Sequence, residues 1–194
     1  MGLRERKKIA TRVAIRRSTY RLIAEQGWDA TTIEQIAAGA EVSPSTVFRY
    51  FPAKEDIVLT DEYDPIMLAV LGSRPLDEPP LESIRYVMVI ALNAMMEVPD
   101  ERAEMIQRTK LMVEVPAIRA HMTETMSATS RLLAGALAER GGRAADDLEV
   151  RIFTAAVLGA LREVTIVWGE GGFEEDVVGL VNRALDMFTQ GLTL

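Results

Sequence analysis

The chain contains no cysteine and a single histidine among its 194 residues. The lack of thiols excludes disulfides and thiolate metal sites, and nothing points to an oxidising compartment. The groups that catalysis requires are also scarce, since there is no HExxH pair and no glycine-rich phosphate loop. Adjacent carboxylates such as Asp146 and Asp147 lie at predicted helix starts, where the helix dipole is a sufficient explanation. We therefore expect no catalytic residue, cofactor or metal, and an enzyme is the least favoured class.

Long apolar runs are missing as well. No stretch approaches the roughly 18 uninterrupted apolar residues of a membrane-spanning helix. The N-terminus is polar and basic without an apolar segment behind it, unlike a secretory signal. These features predict a soluble cytoplasmic protein without membrane contact, and the length allows one or two domains with a sizeable core.

Charge is distributed unevenly along a chain whose net charge is -7. Residues 1–54 contain ten Lys and Arg against five Asp and Glu, whereas residues 55–194 contain twelve against twenty-four. The field that attracts phosphates is local, so the basic first quarter is a candidate for binding nucleic acid inside an acidic protein. A solvated basic helix face is the structural alternative.

Residues 31–57 have the pattern of two short helices joined by a tight turn and followed by a third helix start. We predict the first helix over about 32–38 with a threonine cap, and Gly39 as a flexible stop. Ser43 and Pro44 predict the start of the second helix, since serine caps well and proline there loses no hydrogen bond. This helix should bury Val47 and Phe51 on its inner side.

A helix-turn-helix unit presents the exposed side of its second helix to the major groove of DNA. Arg49 is the best candidate for reading a base, because arginine can bind guanine O6 and N7 together. Lys54, at the next helix start, could hold a phosphate, and the basic N-terminus could contact the backbone or the minor groove. The predicted DNA-binding residues are Arg4, Lys7, Lys8, Thr32, Ser43, Pro44, Ser45, Thr46, Phe48, Arg49, Tyr50 and Lys54.

Nearly every other segment has a helical pattern, which predicts an all-α fold. An opening helix should span about 5–26 and stop at Gly27, and a helix from about 53 to 71 should be kinked or broken at Pro65. Glycine and proline mark residues 72–80 as the clearest loop. Further helices are predicted over about 81–97, 100–113, 115–140, 145–168 and 173–192.

From about Ile15 to Ile57 the chain resembles the TetR (tetracycline repressor-like) family of transcriptional regulators, through LIAEQGWDATTIEQIA, AEVSPSTVFRYF and PAKEDI. The resemblance implies an N-terminal three-helix helix-turn-helix DNA-binding domain, residues 1–52, and a C-terminal helical ligand-binding and dimerisation domain, residues 53–194. Glu41 departs from the family where the turn often has glycine, and Phe48 where a tyrosine often contacts phosphate. The run KLMVEVPAIRAHM also resembles the subgroup related to the mycofactocin regulator, which implies an acyl-CoA-like ligand.

Methionines are concentrated in the predicted middle helices, where their adaptable side chains could line a cavity for an apolar ligand. An ordinary methionine-filled core is the alternative. Basic residues near Pro116 could face a carboxylate or phosphate group of an amphipathic effector. The candidate pocket residues are Met67, Met88, Met95, Met112, Arg119, His121, Met122 and Trp168.

Small and apolar residues at helical spacing on the last two helices predict close packing between helices. A two-fold interface between two copies would use Ile152, Ala155, Gly159, Val178, Val181, Leu185 and Phe188, unless these residues pack only within one chain. We therefore predict a ligand-relieved repressor that binds a palindromic double-stranded DNA operator as a homodimer. The alternative is a helical ligand-binding or scaffold protein without specific DNA binding.

Overall fold

The computed structural model describes residues 2–60 and 64–193, with the backbone alone at residues 3–5, 64 and 65. Within these residues the chain forms ten helices and no strand, which confirms the all-α fold. None of the described helices is long and apolar enough to cross a bilayer. The helices are α1 (Leu3–Gln26), α2 (Ile33–Gly39), α3 (Pro44–Tyr50), α4 (Lys54–Leu59), α5 (Asp64–Ser73), α6 (Pro80–Glu97), α7 (Pro99–Glu114), α8 (Pro116–Gly141), α9 (Leu148–Glu170) and α10 (Val177–Thr189).

Helices α1, α2 and α3, here called the N-terminal unit, enclose a small core together with one residue of α4. Val47 and Phe51 are completely buried, as predicted from their spacing. Gly27 follows α1 with a φ of 83°, the left-handed conformation that glycine adopts readily at a helix end. The buried members of this core are Ile15, Ile36, Ala37, Val47, Phe51 and Ile57.

Helices α5 to α10, here called the C-terminal body, surround a larger apolar core. Helix α10 packs on α6 and α9, and α9 also contacts α7 and α8. The VTIVW run at 164–168, whose β-branched residues also suit a strand, lies inside α9 as helix. The core is built mainly from Leu71, Leu81, Ile84, Leu133, Val157, Val164, Trp168, Leu180, Val181 and Leu185.

The helix predicted from residue 53 to 71 is divided into α4 and α5. Thr60 is extended, with φ of -92° and ψ of 138°, so α4 ends at Leu59. Pro65 is the second residue of α5, and a proline is tolerated there because the first turn of a helix leaves its N–H groups unpaired. Pro65 therefore starts a helix instead of kinking one.

Helix α4 belongs to two cores. Its residue Ile57 packs within the N-terminal unit, whereas Val58 and Leu59 join a separate cluster between that unit and the C-terminal body. This junction cluster also contains Tyr20, Ile23, Leu111, Met112, Ile118 and Met122. The boundary proposed between residues 52 and 53 therefore precedes a helix that is shared by both parts.

The segment predicted as a loop over 72–80 connects α5 with α6, although α5 extends to Ser73. Arg140 of α8 donates a hydrogen bond to the Arg74 carbonyl oxygen at 2.7 Å. Hydrogen bonds from Arg74 and then Ser83 lower the pKa of Glu78 to about 2. The loop is thus attached to α8 through Arg140 and to α6 through the contact between Glu78 and Ser83.

Candidate functional site

Side-chain caps define where α2 and α3 begin. Thr32 Oγ1 accepts a hydrogen bond from the Gln35 N–H at 3.3 Å, and the Thr32 N–H donates to Gln35 Oε1 at 3.0 Å. Ser43 Oγ accepts from the Thr46 N–H at 3.1 Å, and Pro44 is the first residue of α3. These bonds satisfy donors that a helix start leaves unpaired, and both predicted starts are confirmed.

The turn between α2 and α3 contains a strained residue. Glu41 has φ of 55°, in the left-handed region that favours glycine. A non-glycine residue held there costs on the order of 1 kcal/mol. Glu41 therefore occupies a position where the backbone conformation favours glycine, the residue that the family often has there.

Replacing Glu41 with glycine should stabilise the protein slightly. The relieved strain is partly offset by the greater freedom of glycine in the unfolded chain, so we expect a rise in melting temperature of about 1–4 °C. Calorimetry would measure this change. Glu41→Gln is the matched control, because it removes the charge and keeps the strained conformation; an equal rise in both variants would rule out backbone strain as the cause.

Gly39 has a different role from the flexible stop that we expected. It is the last residue of α2, and a Cβ atom there would lie 2.3 Å from Ser18 Oγ and 2.8 Å from an Arg21 guanidinium nitrogen. Ser18 Oγ donates a buried hydrogen bond to the Ile36 carbonyl at 3.1 Å. The missing side chain thus allows α2 to pack directly against α1.

The outer side of α3 combines hydroxyl groups, one cation and an aromatic ring. Phe48 is 50% exposed, and Arg49 is exposed with its guanidinium 5.4 Å from the centroid of the Tyr50 ring. Ser43 Oγ lies 2.9 Å from the hydroxyls of both Ser45 and Thr46. Such groups can bind base edges, thymine methyl groups and phosphates in a major groove.

Basic side chains of α1 extend this surface. Lys7 and Lys8 are exposed, whereas the side chain of Arg4 lies outside the described residues. The Arg12 guanidinium lies 4.7 Å from the centroid of the Phe51 ring, which brings the N-terminal half of α1 to the end of α3. This contact packs α1 against the residue that follows α3, inside the unit, and does not involve Lys7 or Lys8.

Lys54 is directed into the N-terminal unit, whereas the sequence led us to expect a contact with phosphate. Its ammonium donates to the carbonyl oxygens of Trp28 at 2.8 Å and Thr31 at 3.0 Å, and lies 4.1 Å from the Trp28 ring centroid. Burial lowers the pKa of Lys54, while Glu55 and Asp29 act in the opposite direction. The ammonium therefore holds the loop between α1 and α2.

Arg16 is one of the ten basic residues in residues 1–54. It is 3% exposed and lies at the junction between the N-terminal unit and the C-terminal body. Its guanidinium donates to the Thr60 carbonyl at 2.7 Å and lies 3.6 Å from the Glu104 carboxylate of α7. Arg108 of α7 donates to the Leu59 carbonyl at 3.1 Å. These contacts occupy the carbonyl groups at the end of α4, and they link α1, α4 and α7.

His121, which we predicted to line a ligand pocket, lies at the junction. Its Nε2 is 2.9 Å from Asp56 Oδ1 of α4, and its Nδ1 is 3.4 Å from Glu124. Arg119 is exposed on the same helix, where its guanidinium donates to the Val113 carbonyl. The charged residues expected to bind an effector therefore contact other parts of the chain.

An apolar cavity of about 110 Å³ lies between α5, α6, α8 and α9. Met67 and Met88 line it, as predicted. Its other lining residues include Leu71, Ile84, Val87, Thr129, Leu132, Leu133, Leu158 and Leu161. The cavity thus offers hydrocarbon contacts, with Thr129 as the one polar lining residue among those the structure describes.

The remaining pocket candidates lie elsewhere. Met112 and Met122 are buried in the junction cluster, and Met95 is half-buried on α6 away from the cavity. Trp168 is 2% exposed in the core of the body, where its indole N–H donates to the Glu175 carbonyl at 3.0 Å. Methionine fills any irregular apolar space, so its frequency could not locate the cavity.

A wider groove of about 920 Å³ runs between α8 and α9 and shares Leu158 with the cavity. Arg131 and Arg151 line this groove and are exposed, and Asp146 supplies one carboxylate. Within the described part of the chain neither arginine forms an ion pair. The sequence pattern did not reveal these residues, because the loop that brings α9 beside α8 sets their proximity.

The outward side of α9 carries small and apolar residues. Ile152 is 59% exposed, and Ala155 and Gly159 lie on the same side. Val181 and Leu185 of α10 are instead 2% and 0% exposed within their own chain, which corrects their assignment to a dimer interface. Their apolar stripe is used against α6 and α9, with Val178 half-buried beside it.

The partly open side of α10 adjoins α9. Phe188 lines a groove of about 290 Å³ between the two helices, together with Val167, Ala184 and Met187. Val167 and Met187 are 41% and 38% exposed. Exposed apolar side chains of the last two helices thus lie along α9 and this groove.

Comparison with known proteins assigns both parts of the chain. Residues 15–60 match the model of the bacterial regulatory proteins of the tetR family, and residues 78–193 match that of the MftR C-terminal domain. The chain belongs to the TetR family. The transcriptional regulator TcmR of Streptomyces glaucescens is 34% identical over 169 residues, which cover 84% of this chain and 74% of TcmR. Both resemblances noted in the sequence are confirmed.

Solved structures support the same fold for this TetR-family regulator. FadR of Bacillus subtilis in complex with stearoyl-CoA has a TM-score of 0.58 and 21% identity, and covers 90% of this chain and 96% of FadR. NalD, the secondary repressor of the MexAB-OprM multidrug efflux pump in Pseudomonas aeruginosa, has a TM-score of 0.59 and 17% identity, with coverage of 93% and 96%. The chain is a DNA-binding transcriptional regulator, and the relatives are regulators, not enzymes.

Proposed function

We propose that this regulator is a cytoplasmic, non-catalytic repressor that binds a palindromic operator as a homodimer and is released by an amphipathic effector. The observation that carries this proposal is the exposed side of α3. Caps at Thr32 and Ser43 fix the helix pair, and Val47 anchors the inner side of α3. Its outer groups are thereby held rigidly for insertion into a major groove.

In this proposal Arg49 reads a base, and Phe48 contacts the methyl group of a thymine. Lys7 and Lys8, with Arg4 before them, contact backbone phosphates. Phe48 has no hydroxyl group to bind a phosphate, and Tyr50 makes that contact instead. The oxygen of Thr32 accepts a backbone hydrogen bond as a cap, so its hydroxyl hydrogen remains for donation to a phosphate, whereas the Ser43 hydroxyl also contacts the hydroxyls of Ser45 and Thr46.

Two copies are needed because one recognition helix spans only a few base pairs. Two α3 helices related by a two-fold axis read half-sites about 34–36 Å apart or at another spacing set by the dimer. The outward side of α9, with Ile152, Ala155 and Gly159, offers the apolar surface for this contact. Ile152 and Ala155 also line the groove between α8 and α9, so this surface borders the proposed effector site. The groove beside Phe188 extends that surface onto α10.

The effector site combines the apolar cavity with the adjacent groove. A cavity of about 110 Å³ is small beside the roughly 300–1,000 Å³ of typical ligand sites, so it accepts the apolar end of a larger molecule. Arg131 and Arg151 are placed to bind an anionic end, because the groove shares Leu158 with the cavity. An acyl-CoA-like molecule has this chemistry, as does the ligand of the FadR neighbour.

Operator binding across a salt series tests the DNA-binding part of the proposal. The duplex is the chain's own upstream DNA, and a scrambled duplex is the control. We expect log K to fall with log salt by about 0.9 per neutralised phosphate, and the specific duplex to bind about 10³-fold or more tightly than the control. Equal and weak binding to both duplexes would favour the scaffold alternative instead.

Two exposed cations separate base reading from phosphate contact. Arg49→Ala should cost about 1–3 kcal/mol on the operator and relax the preference at one base position. Lys7→Ala should weaken all duplexes alike and reduce the salt slope by about 1. Anisotropy titrations against single-base operator variants measure both effects, and identical profiles for the two variants would refute this division of roles.

A further inference from the structure

The only histidine of the chain joins the two functional parts of the molecule. His121 lies on α8, and its Nε2 is 2.9 Å from Asp56 Oδ1 on α4. The second oxygen of Asp56 accepts a hydrogen bond from the Ala53 N–H at 2.9 Å. One carboxylate therefore closes the start of α4 and holds this helix against α8.

Helix α8 also forms one wall of the cavity. Its early turns carry Ile118, His121 and Met122 into the junction, and its middle carries Thr129 and Leu133 to the cavity. His121 and Thr129 are eight positions apart, which corresponds to about 12 Å of helix. Both regions thus lie on one uninterrupted helix of 26 residues, Pro116–Gly141.

Helix α4 is in turn fixed to the N-terminal unit. Ile57 is completely buried in the core of that unit, and Lys54 binds the loop between α1 and α2. A displacement of α8 by a molecule in the cavity therefore reaches α4 through Asp56, and α4 carries α3 with it. Packed helices favour such discrete shifts over gradual deformation.

We propose that His121 is the positioning residue that couples occupation of the cavity to operator affinity, through its hydrogen bond to Asp56. This inference rests on the proposed function and concerns its regulation. Removal of the imidazole leaves the apolar packing of Val58 and Leu59 with Ile118 and Met122 in the junction cluster. The effector then still binds, but its effect on DNA binding is largely lost.

Two carboxylates fix the position of the His121 ring. Asp56 faces one ring nitrogen from α4, and Glu124 faces the other from the next turn of α8. The ring is thereby held in one orientation between the two helices, which an alanine at position 121 does not reproduce.

The first experiment measures operator affinity of the full chain with and without stearoyl-CoA as the probe. The wild type should lose affinity by a factor within the 5- to 150-fold range of allosteric coupling. In His121→Ala this factor should fall close to one while the probe binds as before. His121→Gln keeps an N–H for Asp56 and should retain most of the factor, and Arg119→Gln is the control on the same helix. Full coupling in His121→Ala would overturn the proposal.

The second experiment needs no probe. Hydrogen exchange of the α4 amides in the full chain should be about 5-fold faster in His121→Ala than in the wild type, the factor that one lost hydrogen bond contributes. His121→Gln and Arg119→Gln should exchange like the wild type. Unchanged exchange of α4 in His121→Ala would contradict the role of His121. If stearoyl-CoA fails on the wild type, that probe chemistry is wrong for the effector, and hydrogen exchange still decides on His121.

Discussion

A Gly159→Arg substitution should separate the homodimer and weaken operator binding by about 10²- to 10⁴-fold, the usual advantage of two linked contacts over one. Gly159 lies on the outward side of α9 beside Ala155 and Ile152. A Cβ atom at Gly159 would meet nothing within 4 Å, so a side chain can leave α9 there without a clash at its first atom within one protomer. In the proposed interface the same arginine stands between two closely packed helices, where its charge and volume prevent contact.

Gly72→Arg is the matched control for this experiment. Gly72 is exposed on α5, and a Cβ atom there also meets nothing within 4 Å. Light scattering after gel filtration measures the mass, and anisotropy measures operator affinity. We expect a monomer with near-native helicity for Gly159→Arg and a dimer for Gly72→Arg. A dimeric Gly159→Arg protein with unchanged affinity would place the interface on another surface.

Gly39→Ala should destabilise the N-terminal unit by about 1–3 kcal/mol, although alanine normally favours a helix. The added Cβ atom would lie 2.3 Å from Ser18 Oγ, which is itself hydrogen-bonded to the Ile36 carbonyl. Helix α2 must therefore move away from α1 or Ser18 must lose its bond. Operator affinity should fall as well, because α2 supports α3.

The matched control for Gly39→Ala is Gly135→Ala in α8, where an added Cβ atom meets nothing within 4 Å. There the helix preference of alanine acts alone, and we expect a gain of up to about 1 kcal/mol. Chemical denaturation gives both free energies of unfolding. Hydrogen exchange in α2 locates the effect in the N-terminal unit. A stabilised Gly39→Ala protein would show that the close contact between α1 and α2 relaxes freely.

The helix-turn-helix could be predicted well because its signals are local. Thr32 and Ser43 cap helices through bonds to residues three positions later, and Pro44 acts on its own N–H position. Val47 and Phe51 are buried because their spacing places them on the inner side of α3. Each of these interactions lies within a few residues, so it depends little on the rest of the fold.

The roles of Lys54, Arg16 and Gly39 could not be predicted, because their partners are distant in sequence. The Lys54 ammonium binds the carbonyls of Trp28 and Thr31, which precede it by 26 and 23 residues. Composition alone shows that Lys54 lies in a basic segment, and a basic segment favours the prediction of a DNA contact. The structure instead directs Lys54 and Arg16 to carbonyl groups inside the molecule.

Local patterns in this chain thus established its helices, its capped recognition helix and its basic first quarter, since each depends on backbone propensity or on neighbouring residues. Tertiary packing decided the rest. The apolar stripe of α10 could pack against a second copy or against the C-terminal body of the same chain. In the structure Val181 and Leu185 are buried within the C-terminal body. The cavity and the contact of His121 with Asp56 arise where α8 meets other helices. Periodicity identifies an apolar or polar side of a helix, but only the packed chain determines what that side meets.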